Sequence, residues 1–121
     1  MTKPSISVIA DERLPGDERP RSWQRFAEQY PEVVSAYETL SDVCRQAGPL
    51  DAQAVTVVKL AVSVGCGSER TVHAHARKAL RAGVDAEVLR QVALIALPTI
   101  GLPAALDALR WIDESIQETR R

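Results

Sequence analysis

The sequence predicts an all-α protein of about six helices. Apolar residues recur at helical spacing from residue 21 onward, and the capping residues Asp51, Ser68 and Asp85 precede apolar segments. Glycine and proline residues stand where these segments end. With 121 residues, 45% of them hydrophobic and 4% aromatic, the chain can build one core from valine, leucine, isoleucine and alanine.

The chain is expected to comprise an extended N-terminal arm, residues 1–20, and a single helical domain, residues 21–121. Prolines, a glycine and mixed charges fill the arm. Two helices are predicted before Leu50. Ser22 is expected to cap the first, and Pro31 suits the first turn of the second, which covers residues 32–47. The first helix carries three aromatic residues on its apolar side: Trp23, Phe26 and Tyr30.

The third predicted helix runs from its Asp51 cap to about Val64 and is apolar or small on nearly every side. A helix that is hydrophobic all round is buried from several directions. In a chain of this length, that favours contacts with other subunits as well as an internal core. A strand over residues 55–64 is the alternative, because this segment is rich in β-branched valine. The cap, the alanines and the length favour a helix.

The fourth predicted helix covers residues 69–82. Ser68 is a suitable N-cap, and Gly83 supplies the glycine that commonly follows the end of a helix. Glu69 falls in the first turn and Arg81 in the last, so both charges complement the helix dipole. This segment is therefore predicted as a helix with both ends defined.

The fifth and sixth helices complete the predicted fold. Asp85 is expected to cap the fifth, which runs to about Leu97, where Pro98 is expected to break it. The sixth is expected to cover residues 104–119. Its apolar side consists of four residues at helical spacing: Leu106, Leu109, Ile112 and Ile116.

Charge and hydropathy exclude several classes of function. The formal net charge of −1 argues against a nucleic-acid or anionic-membrane partner. The longest apolar runs are too short to span a bilayer, and the first ten residues lack the apolar run of a signal peptide. A cytoplasmic location is therefore expected. Cys44 and Cys66 do not form a Cys-x-x-Cys pair and are expected to be free thiols.

The segment from Cys66 to His75 holds the largest collection of reactive side chains. On the fourth helix, Ser68, Thr71 and His75 share one face, because they are separated by three and four residues. His75 is thus a candidate for proton transfer near neutral pH. The alternative is a core histidine whose ring makes one hydrogen bond.

Other residues of this segment suggest further roles. Cys66 is a candidate nucleophile, or else a small inert residue. Arg70 and Glu69 are candidates for substrate binding, with the guanidinium holding a carboxylate, or else a solvated ion pair. His73 and His75 are two residues apart and point to different faces, so a zinc site from His73, His75 and Cys66 is not expected. No metal and no cofactor are predicted.

Three segments together resemble the carboxymuconolactone decarboxylase family, which includes the AhpD-like alkylhydroperoxidases. They are Leu60–Ser63, then Gly67–His75 with Gly83 eight residues beyond His75, and Ile100–Leu109 with its Gly-x-Pro-Ala-Ala pattern. The resemblance covers about residues 31–114. It implies an AhpD-like helical fold and a homo-oligomer, either a trimer or a hexamer.

The chain departs from the thiol branch of this family at the positions that matter most. Ser68 and Thr71 stand where that branch has its two redox cysteines, and Thr56 replaces its upstream glutamate. A hydroxyl cannot cycle through sulfenic acid and disulfide. The resemblance therefore favours the decarboxylase branch, in which Arg70 would hold a carboxylate and His75 would donate a proton, supported by Ser68 and Thr71.

Three functional hypotheses follow. The leading one is an acid/base lyase, of the decarboxylase type, that acts on a small anionic substrate. The second is an alkylhydroperoxidase with peroxiredoxin-type thiol chemistry at Cys66. The third is a catalytically silent oligomeric binding protein that keeps the fold.

Overall fold

The computed structural model describes residues 21–120, and within this range it contains six helices and no strand. The predicted all-α fold class is confirmed. The predicted arm, residues 1–20, lies outside the described residues. The helices are α1 Arg21–Gln29, α2 Pro31–Arg45, α3 Ala52–Cys66, α4 Glu69–Arg81, α5 Ala86–Ile100 and α6 Leu102–Thr119.

The chain divides into two compact units, one up to Pro49 and one from Leu50 onward. The described part of the first unit is the helix pair α1 and α2, which contact each other. Along α1, the rings of Trp23 and Phe26 are 6.0 Å apart, and those of Phe26 and Tyr30 are 5.6 Å apart. The predicted aromatic side of α1 is thus present. A single domain over residues 21–121 stays a prediction.

The second unit consists of α3 to α6 packed around one core. Helix α4 packs against α3 and α6, and α5 packs against the same two helices. Arg90 on α5 also donates a hydrogen bond to Asp113 on α6, with an Nε–Oδ1 distance of 2.8 Å. The largest fully buried side chains in this unit are aliphatic, apart from one serine: Leu60, Leu89, Ile112, Ile116, Val64, Val72 and Ser115.

The helix start signals in the second unit are borne out at two of three positions. Asp51 caps α3, because its Oδ1 accepts a hydrogen bond from the Ala54 amide at 2.8 Å. Ser68 caps α4 and accepts from the Thr71 amide at 3.5 Å. Asp85 occupies the N-cap position of α5 but makes no side-chain cap bond. Helix, not strand, is confirmed for residues 55–64.

Two predicted helix boundaries were wrong, and each of them lies near a proline. Helix α5 continues through Pro98 to Ile100 and ends at Gly101, which has a φ of 94°. Pro98 has no N–H to donate to the Leu94 carbonyl, but the helix extends only two residues beyond it, so the loss is confined to the last turn. Helix α6 begins at Leu102 instead of residue 104, with Pro103 in its first turn. A proline there removes no helical hydrogen bond.

Two further details near the helix ends differ from the prediction. Ser22 lies inside α1 and does not cap it. Helix α3 includes Gly65 and Cys66, and the chain turns at Gly67, whose φ is 69°. Gly67 therefore adopts the left-handed conformation, which glycine reaches without strain, whereas Gly65 is helical.

Several large apolar side chains of the second unit remain exposed. Val58 and Val62 on α3 are exposed, as are Leu94 and Ile95 on α5. Helix α3 was expected to supply subunit contacts, and homo-oligomer formation stays a prediction. Among the helices of residues 21–120, none is both long and apolar enough to cross a bilayer.

Candidate functional site

An open groove of about 770 Å³ lies at the N-terminal end of α4. Four of the sequence-predicted site residues meet here, because Gly67 turns the chain sharply out of α3 and Ser68 starts α4. The other three lining residues were not predicted as site residues: His73, Arg77 and Glu118. The groove is lined by Ser68, Glu69, Arg70, Thr71, His73, Arg77 and Glu118.

The first turn of α4 is held together by hydrogen bonds around Ser68. The Ser68 hydroxyl oxygen accepts from the Thr71 amide at 3.5 Å, and the Thr71 hydroxyl donates to the Ser68 carbonyl at 3.2 Å. Since the Ser68 oxygen acts as acceptor in the cap, its own hydrogen is available to a bound oxygen atom. The backbone N–H groups of this turn add a partial positive charge.

Arg70 supplies a cation to the groove. Its side chain is exposed and forms no ion pair with any residue of the range 21–120. The second arginine of the groove differs, because Arg77 Nη1 lies 3.1 Å from Glu118 Oε1 in a salt bridge. Arg70 is therefore the guanidinium available to a bound carboxylate.

His73 is the centre of a polar cluster between α4 and α6. Its Nε2 lies 3.6 Å from Glu69 Oε2 and 3.2 Å from Glu114 Oε1. Its Nδ1 lies 2.9 Å from the hydroxyl oxygen of Ser115, which is completely buried. The His73 side chain is 16% exposed. The two carboxylates and the imidazole bring their donor atoms within 4.8 Å of one another, so they are capable of holding a cation.

Sequence reasoning missed Glu114 and Ser115, and it gave His73 no role. The spacing of Glu69 and His73, four residues apart on a helix, was a visible sign that they lie side by side. Glu114 and Ser115 could not be predicted in this way, because their approach to His73 depends on how α4 and α6 pack. The segment Cys66–His75 was thus the correct place, but part of the cluster comes from a distant helix.

His75 is half-buried and does not line the groove. It follows Thr71 by one turn on the face that also carries Ser68. Burial lowers the pKa of His75 to about 4, with further lowering by the nearby cations Lys78 and Lys59. The imidazole is therefore neutral near pH 7. Its part in catalysis stays a prediction.

Both cysteines are free, as predicted, and both are exposed. Cys66 is the last residue of α3, and it is not among the residues that line the groove. Cys44 lies on α2, in the first unit. Neither thiol therefore belongs to the polar surface formed at the start of α4.

Comparison with known proteins identifies the family. The model of the carboxymuconolactone decarboxylase family matches residues 31–114, which is 84 of the 121 residues. A search of curated proteins and a search of solved structures gave no significant match. The matched range includes Glu69, His73 and Glu114, and its two cysteines are not a Cys-x-x-Cys pair. The resemblance seen in the sequence is confirmed, and the chain belongs to the carboxymuconolactone decarboxylase family.

Proposed function

We propose that this protein is an acid/base lyase of the decarboxylase type, which binds a small carboxylate in the groove at the start of α4. The observation that carries this proposal is Arg70, an exposed guanidinium with no ion pair among residues 21–120, beside two hydroxyl groups and a helix N-terminus. These groups are all suited to anions. Family membership supports the reaction class.

Each residue has a distinct part in the proposed reaction. Arg70 holds a carboxylate of the substrate, and Glu69 beside it selects against a second negative charge at that end. The Ser68 hydroxyl donates to the oxygen on which charge develops, whereas the Thr71 hydroxyl, which donates to the Ser68 carbonyl, helps to position this turn. His75 is the proposed proton-transfer group; it lies outside the groove lining, one turn along the face that carries Ser68 and Thr71, so the substrate must extend along this face to reach it.

The chemistry needs no thiol. Loss of carbon dioxide breaks a carbon–carbon bond and leaves its electron pair on the substrate as an enolate. The enolate oxygen is stabilised by the Ser68 hydroxyl and by the N-terminal end of α4. One proton from solvent, relayed by the neutral His75 ring, is then added to the carbon, which completes the reaction. Ser68 and Thr71, in place of a cysteine pair, are compatible with this scheme.

Ligand binding to Arg70 variants tests the proposal. Carboxymuconolactone and a panel of small mono- and dicarboxylates would be titrated into the full chain, with binding followed by calorimetry. Arg70→Gln is expected to weaken binding about 10- to 100-fold, the effect of losing a charge-assisted hydrogen bond. Arg81→Gln is the matched control, because Arg81 is exposed in the last turn of α4 and does not line the groove.

Turnover of any bound acid separates the three hypotheses. His75→Gln is expected to lower kcat by about 10²- to 10⁴-fold, the usual contribution of proton transfer by a side chain. Peroxide reduction that disappears in Cys66→Ser would favour thiol chemistry and contradict the lyase proposal. Equal binding by Arg70→Gln and the parent protein would also contradict it. Binding without turnover of any acid would favour the catalytically silent alternative.

A further inference from the structure

The cluster at His73 has the donor atoms and distances of a metal site. Two donors come from α4, where Glu69 and His73 are four residues apart, and the third comes from Glu114 on α6. We propose that Glu69, His73 and Glu114 bind a divalent transition-metal ion such as Zn²⁺. This site shares Glu69 and the groove with the proposed carboxylate site, but metal binding does not depend on Arg70.

Both distances from His73 are close to those of metal coordination, and the two carboxylates lie within 4.8 Å of each other. An ion about 2.1 Å from each donor holds adjacent donors about 3.0 Å apart in octahedral geometry and about 3.4 Å apart in tetrahedral geometry. His73 Nε2 lies 3.2 Å from Glu114 Oε1 and 3.6 Å from Glu69 Oε2. One imidazole and two carboxylates are ligands that Zn²⁺ commonly takes. Their two negative charges balance the charge of the ion.

The orientation of the His73 ring provides an independent argument. Nδ1 lies 2.9 Å from the hydroxyl of Ser115, which is completely buried. In the tautomer that carries its hydrogen on Nδ1, this hydrogen is donated to the Ser115 hydroxyl, and the lone pair of Nε2 is directed at two carboxylates. Such a lone pair is repelled by both anions unless a cation lies between them. Histidine ligands in proteins are typically fixed by this kind of hydrogen bond at the other ring nitrogen.

The site also has an entry path. Glu69 and His73 line the open groove, and the side chain of Glu114 is 45% exposed. An ion can therefore arrive from solvent, and water or a bound oxygen ligand can complete its coordination. Three protein ligands with an open position are the arrangement of catalytic zinc sites, whereas structural sites are closed by four protein ligands. The alternative to a metal ion is a hydrogen on His73 Nε2 that is shared with the two carboxylates.

Metal titration of the chelator-treated full chain tests this proposal. Zn²⁺ would be titrated by calorimetry, and Co²⁺ by its visible absorption, which reports the donor atoms. One ion per chain is expected, with an absorption spectrum typical of nitrogen and oxygen donors. Glu114→Gln and Glu69→Gln are each expected to weaken binding by about 100-fold or more, since a direct ligand exceeds the effect of an outer-shell partner.

Three further variants make the result specific. Glu118→Gln is the matched control, because Glu118 lies one turn beyond Glu114 on α6 and pairs with Arg77; it should bind metal as the parent does. The double variant Cys44→Ser/Cys66→Ser should also bind normally. Ser115→Ala should keep the stoichiometry but bind about 10- to 100-fold more weakly, as expected for a residue that positions a ligand.

The outcomes that overturn the metal site are equally definite. Failure of the parent protein to bind one ion per chain overturns it and leaves the proton as the occupant of the cluster. Unchanged affinity in both Glu→Gln ligand variants overturns it as well, as does loss of binding in the double cysteine variant. None of these results bears on Arg70, whose carboxylate binding is measured in chelator-treated protein.

Discussion

Ser68 contributes both to the stability of α4 and to the groove. Its hydroxyl oxygen caps the helix, and the residue lines the groove that also holds Arg70. The cap bond is long, 3.5 Å, whereas the equivalent bond from the Ala54 amide to Asp51 is 2.8 Å. Because shorter bonds of this kind are stronger, the two caps should differ in their contribution to stability.

Cap substitutions are expected to separate these two roles of Ser68. Asp51→Ala should lower the free energy of unfolding by about 1 kcal/mol, and Ser68→Ala by less, about 0.5 kcal/mol. Ser68→Asp should keep the stability of the parent, because aspartate is also a good N-cap. Its added charge beside Arg70 should weaken carboxylate binding in the groove.

Urea denaturation of the three variants measures the stabilities, and calorimetry with the acid used for Arg70→Gln measures binding. A Ser68→Ala protein less stable than Asp51→Ala would contradict the order inferred from the bond lengths. Undiminished acid binding by Ser68→Asp would show that Ser68 does not face the bound carboxylate.

At the scale of helices, a side-chain hydrogen bond joins the start of α3 to the end of α4. Gln53, in the first turn of α3, donates a hydrogen bond to the carbonyl of Ala82, the C-cap of α4, at 2.9 Å. Gly83 follows with a φ of 94°, and a Cβ placed there would lie 3.0 Å from Gln53 Nε2. The turn thus needs glycine both for its backbone conformation and for space.

Two glycine substitutions are predicted to have opposite effects. Gly83→Ala should lower the free energy of unfolding by about 1–2 kcal/mol, because an alanine is strained in the left-handed region. Gly65→Ala should raise it by about 0.5–1 kcal/mol, since Gly65 is inside α3 and a Cβ there meets nothing within 4 Å. Urea denaturation of both variants measures the changes. Two changes of the same sign would contradict this account.

The helices were predictable from sequence to the extent that their signals are local. Asp51, Ser68 and Gly83 act on residues no more than five positions away, so the pattern around each sufficed. Pro98 misled, because the loss of its one N–H hydrogen bond does not end the helix at once: burial of Leu89 and Ala93 stabilises α5, which continues to Ile100. The cluster at His73 was not predictable in full, because it requires the packing of α4 on α6.

At the scale of the whole molecule, the pKa of His75 makes stability depend on pH. Burial, Lys78 on α4 and Lys59 on α3 lower this pKa from 6.5 in the unfolded chain to about 4 in the folded protein. Between these values the unfolded chain binds more protons than the folded one. Stability therefore falls as the pH falls from 6.5 to about 4, and it is fully present above 6.5.

The measurement is urea denaturation between pH 4.5 and 7 in chelator-treated protein, with His75→Gln as the matched variant. Carboxylates contribute to the pH dependence of both proteins, so the difference between them isolates His75. The parent protein should lose more stability than His75→Gln over this range. A difference that does not vary with pH would contradict the lowered pKa.

The bond from Gln53 to Ala82 also bears on the order of folding. It joins the start of one helix to the end of the next and so closes α3 and α4 into a hairpin of about thirty residues. Closing such a short loop costs little chain entropy, and packing between successive helices gives low contact order. The α3–α4 hairpin is thus suited to act as a folding nucleus. The start of α4, with Ser68 and Arg70, would then be in place before α6 brings Glu114 to His73.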